Sequence, residues 1–159
     1  MSVGSTAFND FLALSSVLTG FTPFRLQGTG QAPLYFATLT TVVGEAVVGE
    51  LLRAHAGVAT QAGADAAALE QLVRRDILSH EKLGPIARNL IKLWFVGTWY
   101  QLPAEWRDVF GAPERDGTFV PSPNAYVEGL LWPTIGANPT GAKGPGYGTW
   151  AEPPRIPQP

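Results

Sequence analysis

Residues 33–57 read PLYFATLTTVVGEAVVGELLRAHAG, and the spacing of their apolar side chains decides the fold class. Pro33 suits a first helical position, where its missing N–H is no loss and its φ is already set. Tyr35, Leu39, Val42 or Val43, Ala46 and Leu51 then return at close to helical steps, which gathers them on one face. Arg53 and His55 favour the negative end of a helix dipole, and Gly57 follows as a stop. The expectation is one helix from Pro33 to about Ala54. Gly44 and Gly49 lie inside it, each costing about 1 kcal/mol relative to Ala, so they predict either close helix packing or a break.

The same period extends in both directions. Phe11, Leu14 and Leu18 share a face over Asn9–Thr19, and Gly20 stands where a helix would stop. Downstream, Asp65 is placed as the N-cap of a helix carrying Leu69, Leu72, Val73 and Ile77. Pro85 opens another, with Ile86, Leu90, Leu93, Trp94 and Gly97 in register. Short helices are expected at 103–110 and 123–131. Thr118-Phe119-Val120 is the one strand-like run, too short to build a sheet. These readings give an all-α fold: a small helical bundle over residues 1–132, then an extended Gly/Pro/aromatic-rich C-terminal tail over 133–159.

Composition narrows the function. The 159 residues include 11 Lys+Arg, 13 Asp+Glu and no Cys, for a net charge of −2. That balance argues against a dominant nucleic-acid or anionic-membrane surface. The missing cysteines exclude disulfides, zinc ribbons and thiol nucleophiles. Charged residues make up only 15% of the chain, against about 25% in typical domains, so much of the surface is expected to need cover by a partner. Eleven of 14 Pro and 8 of 18 Gly fall in 101–159, and all five Trp lie between 94 and 150. As polyproline-like chain at about 3.1 Å per residue, the last 27 residues would reach roughly 80 Å. Tyr147 and Trp150 favour a docked tail over a solvated one.

Most motifs that would carry chemistry fail on inspection. His80-Glu81 begins like a zinc-protease helix, but Gly84 stands where the second His belongs, and His55 is the only other histidine. His80 beside Glu81 remains the single acid/base pair, its ordinary reading being a polar turn between two helices. Gly28-Thr29-Gly30 lacks the preceding strand, third glycine and lysine of a phosphate loop. In Gly141–Gly148 the glycines are interrupted by Pro145 and no helix follows. Asn138-Pro139-Thr140 is blocked as a glycosylation acceptor by its proline. Glu45, Glu50, Asp76, Glu105 and Asp108 show no spacing that picks out a catalytic pair.

The densest aromatic cluster is Trp94, Phe95, Trp99 and Tyr100, apolar nearly all round a helix. Trp94 is expected in the core. The surplus, Trp99 and Tyr100, is expected on a partner surface or under the returning tail, since Trp and Tyr dominate interface anchors.

Three stretches carry a family resemblance. Phe11 to Gly20, FLALSSVLTG, resembles the N-terminal helix of the small subunits of bacterial FAD-dependent sorbitol, fructose and glucose dehydrogenase complexes. Leu93-Trp94-Phe95-Val96-Gly97 is similar to their Trp-Tyr-x-Gly helix, with Phe95 in place of the tyrosine. The run from Tyr126 through Trp132, Asn138–Gly141 and Gly146 to Pro154 is similar to their closing pattern. The resemblance implies a non-catalytic accessory subunit that carries no cofactor of its own. Its partner would be a large flavoprotein of the glucose–methanol–choline class, holding FAD and oxidising a sugar or sugar alcohol. A multihaem cytochrome c can form a third subunit, and an alternative role is a transient assembly or export chaperone. Trp99, Tyr100, Trp132, Tyr147 and Trp150 are the expected anchors, with Pro153 and Pro154 holding the tail extended. The resemblance implies a place on the periplasmic side of the inner membrane. The start MSVGSTAFNDF has no twin arginine, which leaves a cytoplasmic location open. A self-contained enzyme using His80 and Glu81 is the remote alternative.

Overall fold

The structure, a computed structural model, describes residues 3–142, and these are mostly helical with no strand beyond one isolated bridge. Tyr147, Trp150, Pro153 and Pro154 lie outside the described residues. Helix α1 (Val3–Thr19) starts earlier than its apolar spacing required and buries Phe11 and Leu14 completely. It ends as expected: Gly20 takes φ +77° and its N–H reaches the Ser16 carbonyl at 2.9 Å. A short helix α2 (Pro23–Gly28) follows, capped by the Thr22 hydroxyl. Its six residues, with one buried side chain, Leu26, show no period by which the sequence would reveal it.

The single helix expected from Pro33 is two helices, α3 (Ala32–Val43) and α4 (Glu45–Ala62), bent by 117° at Gly44. Gly44 adopts φ +85° and ψ 153°, a conformation open to glycine and costly for side-chain-bearing residues. The break turns Tyr35, Leu39 and Val42 on α3, and Val48, Leu51 and Leu52 on α4, toward one core. Gly57 does not stop α4. It is exposed, Val58 continues the buried stripe behind it, and Gly63 ends the helix instead.

Asp65 caps α5 (Ala66–Leu72), its Oδ1 accepting from the Ala67 and Ala68 N–H groups at 2.9 and 3.0 Å. The helix then widens into a π-helical segment (Val73–Leu78), closed by Ser79 N–H on the Arg74 carbonyl. Val73 and Ile77, four residues apart and on one face, are both buried. Helix α6 (Leu83–Val96) begins two residues before Pro85 and is the central element. Trp94, on its last turn, meets the Tyr35 ring edge-on at 4.8 Å and lies 6.3 Å from Phe11, joining α1, α3 and α6. Replacing such a buried Trp by Ala typically costs about 3–5 kcal/mol.

Beyond Gly97 the chain forms α7 (Ala104–Phe110), α8 (Pro123–Val127) and α9 (Leu131–Thr134). The helix expected over 123–131 is interrupted because Gly129 lies against the α6 terminus. A Cβ there would fall 2.7 Å from the Phe95 carbonyl oxygen. Leu130 N–H bonds the Trp94 carbonyl at 3.0 Å, tying the interruption to α6.

Candidate partner-docking surface

The segment after α6 has little regular structure, so side chains must satisfy its backbone. Asn89, buried on α6, does this for Tyr100: its Nδ2 donates to the Tyr100 carbonyl and its Oδ1 accepts from the Tyr100 N–H at 3.0 Å. The amide acts as a one-residue strand partner. Trp99 exchanges backbone hydrogen bonds with Phe119 at 2.9 and 3.0 Å. Its indole Nε1 donates to Asp116 Oδ1 at 3.1 Å, and the same carboxylate accepts from the Leu102 N–H. Arg107 Nε stands 3.9 Å from Asp116 Oδ2, an ion pair too long for a hydrogen bond.

This geometry corrects the expectation for Trp99. Its exposure is 0%, so it offers no surface to a partner. Trp99 is held instead by Asp116 and Phe119 of the same chain. Tyr100 differs: it is 39% exposed, with Lys92 Nζ 5.1 Å from its ring centroid. Trp132 is half-buried; its Nε1 donates to the Tyr126 carbonyl at 2.8 Å and the two rings meet edge-on at 5.3 Å.

The most exposed large apolar side chain described is one that sequence reasoning passed over. Phe24, on α2, is 87% exposed. It walls a groove of about 190 Å³ with Thr29, Val127, Leu130 and Pro133, and the charged Arg25 and Glu128 also line it. Residues of α2, α8 and α9 thus meet at this groove, with Phe24 as its aromatic wall. Ile135 and Tyr126 are also exposed. The signal for Phe24 was Thr22-Pro23, an N-cap followed by a first-turn proline, which opens a helix too short to bury its aromatic.

His80 and Glu81 are exposed in the turn before α6. His80 Nδ1 accepts from the Lys82 and Leu83 N–H groups at 3.1 and 3.2 Å, so that nitrogen caps the helix start. Nearby, Lys82 Nζ pairs with Glu50 at 2.6 Å and the Lys82 carbonyl accepts from Trp106 Nε1 at 2.8 Å. His55 is buried on α4, its Nε2 without a hydrogen-bond partner among the described residues. Burial pushes its pKa below the usual histidine value, and Asp10 on α1 opposes part of that shift. Among the described residues no three His, Asp or Glu side chains are grouped to hold a metal ion, and no single helix is long and apolar enough to cross a membrane. No family profile, curated protein or solved structure matches the chain.

Proposed function

We propose that this chain is a non-catalytic accessory subunit that binds and stabilises an FAD-dependent sugar or sugar-alcohol dehydrogenase of the glucose–methanol–choline class. The motif resemblance supplies the partner class. The observation that carries the docking role is Phe24: an 87% exposed aromatic that walls a groove. Leaving an aromatic of that size in water forgoes about 1.5–3 kcal/mol of burial, which a partner pocket would recover. Aromatic side chains seated in partner pockets are also the usual anchors of an interface. FAD and sugar would belong to the partner, and this chain would supply folding support and a stable contact.

Co-expression with a large flavoprotein subunit of this class tests the reading. Affinity purification through this chain under native conditions is expected to bring down a yellow complex with a flavin spectrum. Phe24→Ser with Trp132→Ser is expected to reduce its yield at least tenfold, by the usual weight of interface aromatics. A stable monomer that gains nothing from the flavoprotein, and carries no flavin with it, would overturn the proposal.

A further inference from the structure

A second face, sharing no lining residue with the Phe24 groove, has a different chemistry. Thr118-Phe119-Val120 is extended and pairs with Trp99 through Phe119 alone. In an antiparallel pair successive residues turn their N–H and C=O groups to opposite sides. Phe119 therefore points both groups at Trp99, and Thr118 and Val120 point theirs away. Neither makes a backbone hydrogen bond among the described residues. The Thr118 hydroxyl accepts from the Gln101 N–H at 3.0 Å, which secures the segment from its inner side. Pro121 holds Val120 in the extended region and ends the edge after it. The result is a short edge on which Thr118 and Val120 carry backbone groups with no backbone partner among the described residues.

Beside this edge lies a groove of about 390 Å³ between it and α3. Leu34, Ala37, Thr41 and Val42 form one wall, Phe119 and Val120 the other. Helix α3 carries no charged residue over its whole length. Arg115 is the one charge lining the groove; it is exposed and has no carboxylate partner among the described residues. Val120 itself is 52% exposed.

We propose that the Thr118–Val120 edge and this groove bind an extended segment of a partner protein by strand addition, apolar where it faces α3 and bearing a carboxylate that meets Arg115. Main-chain hydrogen bonds would supply affinity and the alternate side chains specificity, as in other strand-addition sites. The unpaired cation sets the sign of the occupant's charge. The proposal does not depend on that partner being a flavoprotein.

The probe is a capped peptide of alternating Val and Thr with Glu at each end, titrated into the full chain and followed by amide NMR shifts. Changes are expected at Thr118–Val120 and along α3, with slowed exchange of the Val120 amide. A peptide with Lys in place of Glu should bind about fivefold more weakly, the factor of one surface ion pair. Arg115→Glu should reverse that order without moving the melting temperature. The Glu peptide N-methylated at alternate backbone nitrogens should not bind. Equal binding by the N-methylated peptide, equal binding of the Glu and Lys peptides, shifts confined to another face, or no binding at about 1 mM would each overturn the proposal.

Discussion

Gly97→Ala is the substitution whose effect follows most directly from the packing. Gly97 sits just past α6 at φ +69° and ψ 19°, its N–H bonding the Leu93 carbonyl at 3.0 Å. A left-handed conformation costs a side-chain-bearing residue about 1 kcal/mol or slightly more. Steric overlap costs more than that. A Cβ at 97 would lie 2.4 Å from the Ala125 carbonyl oxygen and 2.8 Å from the Tyr126 nitrogen, where ordinary contact begins at 3.4 Å. Helix α8 must therefore retreat by about 1 Å, the difference between 3.4 and 2.4 Å. The chain just past α8 is held to α6 by Leu130 N–H on the Trp94 carbonyl, and Leu130 and Ala125 are both buried. Stretching that bond costs about 1 kcal/mol, and wetting part of two buried side chains costs about 1–2 kcal/mol more. We expect a loss of about 3–4 kcal/mol, a large share of the 5–15 kcal/mol that holds a typical domain. Urea unfolding followed by tryptophan fluorescence reads this as a lower midpoint. Gly20→Ala is the control: its φ is +77°, yet nothing lies within 4 Å of its Cβ. It should lose only the conformational part, about 1 kcal/mol. Equal losses in the two variants would refute the claim that α8 is locked against α6 by a missing side chain.

Asp116→Ala leaves the Trp99 indole N–H and the Leu102 N–H buried without an acceptor, so it should cost about 3 kcal/mol and red-shift tryptophan emission; an unchanged midpoint would contradict the assigned hydrogen bonds. Asn89→Ala removes both contacts to the Tyr100 backbone and should cost about 2 kcal/mol, whereas Asn89→Asp, which sets a buried carboxylate oxygen against the Tyr100 carbonyl, should cost at least as much. Because burial lowers the His55 pKa in the folded chain, the unfolded chain binds the proton more readily, and stability should decline as pH falls through about 6.5 toward the lower folded value. Melting curves between pH 8 and pH 5.5 (roughly the span around the histidine value) would show that slope, and a His55→Gln variant retaining all of it would refute the assignment.

The helices legible in the sequence are those whose evidence is local. Phe11, Leu14 and Leu18 lie one turn apart, and Asp65 reaches N–H groups two and three residues away. At Gly44 the sequence allowed close packing or a break, and choosing between them requires knowing that Tyr35 and Leu51 must face the same core from different helices. That information belongs to the assembled bundle. Trp99 fails for a related reason. An apolar surplus at a helix end says that cover is needed and is silent on where the cover originates.

In this chain the cover comes from as far as 20 residues away, where Phe119 pairs with Trp99, and its route shows how a domain with few charges satisfies a loop-rich region. Between Gly97 and Ser122 most backbone groups have no helix or sheet to bond, and each buried one left unpaired would cost on the order of 1–3 kcal/mol. Two side chains carry much of that demand: Asn89, eleven residues from Tyr100, and Asp116, fourteen from Leu102 and seventeen from Trp99. Neither belongs to a motif, and in the sequence each is an ordinary polar residue among others. Their role depends on contacts across distances that periodicity does not span. Phe24 and the Thr118–Val120 edge are the complement of that economy, since apolar area and backbone groups that the chain's own polar residues do not meet are left facing outward. The low charge density thus has two consequences: inside, single amides and carboxylates serve several groups at once, and outside, the groups they cannot serve are left to solvent, which is why both proposed docking faces lie there.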